Sequence, residues 1–385
     1  MPERREHLLI AGVSTRALAA SAARAGHRVT AIDAFGDIDL RAVAEVFPSG
    51  DGAGRFSPAE AAAAARTVSA SLVAYTSNFE NHPDAVAALA VGRRLLGNPP
   101  AVLQRVRNPI TLMRALRGRG FAVPETRASP PDAGCLGRRW LMKPRRSGGG
   151  HGTSAWHPAA AVPRRSYLQE RIPGPAGSIL FLADGRRAVP LGLSRQLVGD
   201  PAFGAHGFRY CGSLLGTTRR PVFDRQDHLL DVARALAEAV TEEFGLVGLN
   251  GIDFIARSGM PYPIEVNPRY SASMELAERA TGVSLFELHR AACRGLLPAE
   301  QSVAGLVTGK GIVFAHRDVT VGEGLRWTAG GDLADVPRPG ERIQAGHPIC
   351  TIFATGTDAS TCTQRLRAGA DRIYRTIETR TRGAA

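Results

Sequence analysis

The chain has 385 residues, 44% of them hydrophobic and 22% charged, with a formal charge of +13. That length accommodates two or three domains with a substantial core, and the composition is ordinary for a soluble globular protein. No uncharged apolar run is long enough to span a membrane, and the start MPERREHLLIAGV lacks a signal-peptide cleavage pattern, so a cytoplasmic protein without membrane contact is expected. The positive charge is spread along the chain, with no basic tail and no patch interleaved with aromatics. It fits anionic small ligands better than nucleic acid. Cys135, Cys211, Cys293, Cys350 and Cys362 are scattered without metal-ligand spacing and read as reduced packing residues. Of the 48 basic residues only Lys143 and Lys310 are lysines. A lysine retained in such an arginine-rich chain points to a role that the planar guanidinium fork does not suit.

In chain order, residues 6–34 read strand, helix, strand, the start of a doubly wound α/β sheet. Gly12 to Thr15 lacks a GxGxxG pattern, so Asp33, 21 residues on, is weak support for a dinucleotide site. An alanine-rich helix over 57–69 and a strand over 71–75 follow. Residues 76–83 leave that strand at its carboxyl end, where open α/β sheets place ligand loops, although a plain connection reads equally well. Leu96 to Pro100 closes the unit with loop chemistry.

A helix from Pro109 to Gly120 leads to the strand Trp140 to Pro144 and then Arg145 to Thr153. There Gly148, Gly149, Gly150 and Gly152 give backbone N–H groups freedom to converge on a phosphate. Glycines alone would read as a flexible loop. Lys143 at the end of the preceding strand turns the reading toward phosphate binding. The strand Tyr167 to Glu170 ends in a Pro/Gly break and can offer its backbone to an adenine edge, as can many strand ends. A hairpin over 178–193 turns at Asp184-Gly185. Residues 201–216 look like a cleft-lining loop, 224–244 and 271–295 are helical, and 301–385 suggests short strands ended by a helix over 361–379.

Residues 249–269, LNGIDFIARSGMPYPIEVNPR, read as a β-hairpin. Pairing centred on Gly259 sets Asp253 opposite Glu265, with Asn267 on the same face and Ile252, Phe254, Ile264 and Val266 on the other. Two opposed carboxylates repel unless a cation lies between them, and Asp253, Glu265 and Asn267 are hard oxygen ligands suited to Mg²⁺. A solvated polar hairpin face is the competing reading.

The segments LMKPRRSGGGHG, YLQERIPG and GLNGIDFI…PIEVNPR together resemble the ATP-grasp superfamily of carboxylate ligases over residues 6–300. The resemblance implies an α/β protein, α+β in its ATP-binding part. It would comprise a pre-ATP-grasp domain (1–98), an ATP-grasp domain (99–300, divided at 176/177 into lid-bearing and metal-binding subdomains) and a β-rich C-terminal domain (301–385). It further implies that Lys143 binds ATP phosphates under a lid formed by Ser147, Gly148, Gly149, Gly150 and Gly152, and that Gln169, Glu170 and Ile172 lie against adenine. Asp253, Glu265 and Asn267 would carry Mg²⁺, with Mn²⁺ as an alternative, and Arg269 would stabilise the transferring phosphoryl group. A further basic ATP contact common in the family has Arg105, Arg107 and Arg114 as candidates here. The whole is similar to ATP-dependent carboligases related to biotin carboxylase and to tyramine–glutamate ligase. The expected substrates are a small carboxylic acid and an amine, compatible with a homodimer. A carboligase, a small-molecule kinase and a non-catalytic ATP-binding module are the alternatives.

Overall fold

The computed structural model describes residues 6–49, 56–131, 137–300, 305–322 and 331–381, so Cys135 lies outside the described residues. Five parallel strands, β1 (His7–Gly12), β2 (Arg28–Asp33), β3 (Glu45–Pro48), β4 (Leu72–Tyr75) and β5 (Arg94–Leu96), form a sheet in the order β3-β2-β1-β4-β5. Leu8 to Ala11 are fully buried, as expected for parallel strands covered on both faces by helices. Those helices are α1 (Arg16–Arg24), α2 (Ile38–Arg41), α3 (Pro58–Ala64) and α4 (Pro83–Ala90). Asp33 accepts hydrogen bonds from the Thr15 N–H and hydroxyl, at 2.7 and 2.8 Å, and from the N–H groups of Phe35 and Gly36. Its carboxylate shapes the β1–α1 turn and is not available to a ribose.

Helices α5 (Pro100–Val106) and α6 (Pro109–Gly118) lead to a small antiparallel sheet of β6 (Thr126–Arg127), β7 (Trp140–Pro144), β8 (Ser154–Ala155) and β9 (Ser166–Glu170), ordered β6-β9-β7-β8. Only Trp140, Trp156 and Leu168 form its buried core, so this lid is a light structure beside the large sheet that follows.

The large sheet contains β10 (Ala176–Asp184), β11 (Ala188–Val198), β12 (Tyr210–Leu215), β13 (Val247–Arg257), β14 (Met260–Asn267) and β15 (Val307–Phe314). Beyond the two-stranded ladder of β16 (Val319–Thr320) with β18 (Arg342–Ile343), it is completed by β17 (Leu333–Ala334) and β19 (Pro348–Gly356). The order is β14-β13-β10-β11-β12-β15-β19-β17. The sheet therefore does not stop at residue 300: β15 pairs with β12 and carries the C-terminal strands into the same layer. Helices α7 (Gln226–Phe244) and α10 (Ala359–Thr381) pack on one face, and α8 (Met274–Thr281) and α9 (Leu285–Ala292) on the other. The helical stretch after 271 is broken into these two helices at Gly282, whose φ of +73° ends α8 in the left-handed conformation that favours glycine.

Candidate active site

The β13–β14 hairpin brings Asp253 opposite Glu265 and Gly251 opposite Asn267, as the sequence spacing predicts. Nearer the turn the register differs by one residue, with Arg257 opposite Met260 and Phe254 opposite Pro263. A bulge at Ile264 absorbs the difference. The bulge also corrects one expectation: Ile252, Phe254 and Val266 are buried in the core, whereas Ile264 is only half-buried and lines the cavity beside the acids.

Asp253 accepts hydrogen bonds from Gln196 Nε2 and Asn267 Nδ2, both at 3.0 Å, and forms no salt bridge among the described residues. Burial and then the Glu265 charge push its pKa up to about 6. For Glu265 burial acts in the same upward direction, but the Arg107 and Lys143 charges outweigh it and hold the carboxyl below its ordinary range. One member of the pair is thus charge-compensated and the other is not.

Arg107, the residue that ends α5, is a hub. Nη1 donates to Glu265 Oε1 at 2.7 Å and to the Val266 carbonyl at 2.8 Å. Nε and Nη2 donate to Asn81 Oδ1, and Nη2 also to the Ser147 carbonyl of the glycine loop. Of the three candidate basic residues it alone faces the cavity: Arg105 reaches a carbonyl of α7, and Arg114 is exposed. Arg269 Nη2 donates to Glu80 Oε1 at 2.7 Å, while Arg269 Nε and Glu80 Oε2 are buried without a partner among the described residues. Loop 76–83 therefore contributes Glu80 and Asn81 as clamps on two arginines that flank the acids. The end of the hairpin is fixed from the same side, since Asn98 Nδ2 and the Tyr75 hydroxyl both donate to the Pro268 carbonyl.

Across the cavity, Lys143 Nζ donates to the buried Gln169 Oε1 at 3.1 Å, and Gln169 Nε2 donates to the Ile264 carbonyl at 3.3 Å. Gln169 thereby ties the lid to the hairpin through its side chain. Glu170 accepts from Arg138 at 2.8 Å and from the Glu125 N–H, and Ile172 lines the wall. In the glycine loop, Gly150 has φ +78°, and a Cβ there would sit 1.8 Å from the Phe208 carbonyl oxygen. The Tyr210 N–H donates to the Gly149 carbonyl at 3.0 Å, so the loop is closed down on residues 208–210. Ser147, Gly148 and Gly152 line the same cavity, of about 1330 Å³, as Asp253, Glu265, Asn267 and Arg269.

The sequence-predicted residues therefore converge on one cavity. Sequence reasoning singled out Lys310 and the 76–83 loop without placing Lys310, Glu80 or Asn81 in the site, gave Gln196 no role, and left Arg107 as one of three candidates. Among the described residues no three His, Cys, Asp or Glu side chains cluster as a metal site. A cation here would take two carboxylates and need Asn267, water or phosphate oxygens for the rest. That donor set fits Mg²⁺, and the uncompensated Asp253 is where its charge would be most useful.

The site is a cavity between a small antiparallel sheet and a large one that carries the paired acids, preceded by a parallel α/β unit. The chain carries an ATP-grasp domain: residues 106–273 match the ATP-grasp domain family. It resembles the biotin carboxylase domain dimer of the Hydrogenobacter thermophilus 2-oxoglutarate carboxylase in complex with MgADP, ADP and bicarbonate (TM-score 0.73, 14% identity, 94% of this chain and 89% of that one). It also resembles the L-amino acid ligase of Bacillus licheniformis (TM-score 0.70, 18% identity, 96% and 98%). At such identities the likeness concerns the fold. The carbamoyl phosphate synthase large chain of Neisseria meningitidis is 30% identical over 83 residues, 22% of this chain but only 8% of that protein's length. No helix among the described residues is long and apolar enough to cross a membrane.

Proposed function

We propose that the chain is an ATP-dependent ligase that joins a small carboxylic acid to an amine, using Mg²⁺. The observation that carries this reading is the Asp253–Glu265 pair, with Glu265 2.7 Å from Arg107, facing Lys143 and a closed glycine loop across one cavity. Lys143 and the N–H groups of residues 147–152 bind the phosphates, and the chain from Gln169 to Ile172 lines the adenine. Asp253, Glu265 and Asn267 hold Mg²⁺, which supplies charge neutralisation for phosphoryl transfer. Arg269, oriented by Glu80, stabilises the transferring group.

In the reaction a substrate carboxylate oxygen attacks the γ-phosphorus, the bond to the β-phosphate oxygen breaks, and ADP leaves. The amine lone pair then attacks the acyl carbon, the carbon–oxygen bond to phosphate breaks, and the nitrogen loses a proton. The products are amide, ADP and phosphate. Most of the acceleration comes from positioning and charge placement. A glutamate-adding step in the synthesis of a one-carbon carrier cofactor is the narrower reading. The test is an ADP-release screen of acids against amines, with glutamate plus tyramine among the first pairs and bicarbonate without amine as a separate arm. ADP release driven by bicarbonate alone identifies a carboligase instead, a stable phosphorylated acceptor identifies a kinase, and nucleotide binding without ADP release in any arm sinks the enzymatic reading.

A further inference from the structure

Both lysines of the chain line the same cavity, at separate places along its floor: Lys143 on the lid and Lys310 on β15. Lys310 is 4% exposed, and its Nζ donates to Glu275 Oε2 at 2.8 Å and to the Ala272 carbonyl at 3.3 Å. An ammonium has three donors, so one remains. Glu275 has a second cation in Arg16, which reaches both of its oxygens. Burial pushes the Glu275 carboxyl up, but Lys310 and Arg16 hold it far below the usual range.

Further hydrogen-bonding groups line the same cavity. The Ser271 hydroxyl is buried with no partner among the described residues, and Ser271 lines the cavity. Ser273 is the N-cap of α8 but makes no capping bond; its hydroxyl lies 2.8 Å from that of Ser213, which lies 2.8 Å from the Tyr210 hydroxyl. In the first turn of α8 the Met274 and Leu276 N–H groups donate to the Ser271 and Ser273 carbonyls, so the Ser271 hydroxyl is the group left open toward the cavity. In register, Gln196 faces Ser213 and Ser213 faces Lys310, while Gln196 also bonds Asp253. A polar floor thus runs from the acid pair to Lys310.

We propose that this end of the cavity recognises the carboxylic acid substrate, and that the substrate carries a second anionic group, carboxylate or phosphate, received by Lys310 and Ser271. The proposal rests on the ligase reading and names its acid substrate as a dianion. A compact ammonium on a flexible stem suits a donor shared between Glu275 and a ligand, which a rigid guanidinium fork does not.

Calorimetric titration of the full chain loaded with MgADP reads this site without turnover, using succinate, glutarate, 3-phosphonopropionate and butyrate as probes. At least one dianion should bind about tenfold or more tighter than butyrate, the effect of one charge-assisted hydrogen-bonded contact. That preference should vanish in Lys310→Met and not return in Lys310→Arg, with MgADP affinity unchanged in both. A stronger response to the phosphonate than to the dicarboxylates identifies phosphate as the second group, and the reverse identifies carboxylate. Equal binding of dianions and butyrate, no binding of any probe, or a preference that survives Lys310→Met overturns the proposal. Should Lys310→Met not fold, Ser271→Ala decides: its hydroxyl has no partner among the described residues, so loss of the preference there supports the site and full retention overturns it. Dianion binding without ADP release in any acid–amine pair would sink the ligase reading and leave the subsite standing.

Discussion

Arg107→Met is the substitution whose consequence can be followed furthest. The guanidinium makes five hydrogen bonds, one of them to the half-buried Glu265. Adding five charged hydrogen bonds at about 1.5–3 kcal/mol each would approach the whole stability of a domain, roughly 5–15 kcal/mol. That sum overcounts, because the Asn81, Ser147 and Val266 groups can relax toward other partners. The irreducible term is a half-buried carboxylate left beside Asp253 with Lys143 as its remaining nearby cation, and breaking a pair of this kind costs at most about 3–5 kcal/mol. For a unit of this size each kcal/mol moves the melting temperature by about 2–4 °C, so a fall of roughly 10 °C is expected at pH 7.5. Because Arg107 holds the Glu265 carboxyl down, its contribution is fully present above the unfolded pKa of a glutamate and is lost as pH falls through the folded value. The gap between wild type and variant should therefore be widest at neutral pH and narrow in acid. Differential scanning calorimetry of the nucleotide-free protein from pH 7.5 downward measures both. A variant melting within about 2 °C of wild type at pH 7.5 would refute the hub assignment.

Asp253→Asn and Glu265→Gln should each abolish ADP formation while leaving the far-ultraviolet circular dichroism unchanged; undiminished turnover in either removes the metal assignment. His289 is fully buried, with Nδ1 accepting from the Leu249 N–H at 2.8 Å and Nε2 against the Leu96 carbonyl, and burial lowers its pKa to about 4. Its unfolded-state value is higher, so stability is retained above about pH 6.5 and declines toward pH 4, by about 2 kcal/mol at pH 5. Urea midpoints for wild type and His289→Gln should show that slope only in wild type. Gly150→Ala must displace the Phe208 carbonyl and adopt a φ of +78°, so it should open the glycine loop and weaken ATP binding several-fold, as read by nucleotide titration; unchanged affinity would mean the loop does not cover the phosphates.

The hairpin was legible because period-two alternation and the Ser258-Gly259 turn are local signals. Its register at the acids was also legible, although through two offsetting features: the turn pairs one residue away from a centre on Gly259, and the Ile264 bulge restores the count. No local signal marks a bulge there, and that is why Ile264 was assigned to the wrong face. The glycine loop with Lys143 was legible from residue type, since lysine is so rare in this chain. The clamps were not. Which arginine is buried, and that Glu80 and Asn81 reach across from another layer, depends on tertiary packing between elements far apart in sequence. The pairing of β15 with β12 is equally non-local, and short strands punctuated by Pro-Gly turns read the same whether they form their own domain or extend an existing sheet.

That extension has a consequence for how such a protein diversifies. Asp253 and Lys310 stand on strands of one hydrogen-bonded layer, separated by β10, β11 and β12, so the spacing between the reacting end and the recognising end is set by backbone ladders rather than by a hinge. The small sheet stands outside that layer, tied to it by the Gln169–Ile264 and Tyr210–Gly149 hydrogen bonds, and takes no part in setting the spacing. If Lys310 receives the acid as proposed, substitutions on β15 and β19 would retune which acid is accepted while the acid pair, several strands away, keeps its register: selectivity and chemistry would share a rigid ruler but occupy different marks on it.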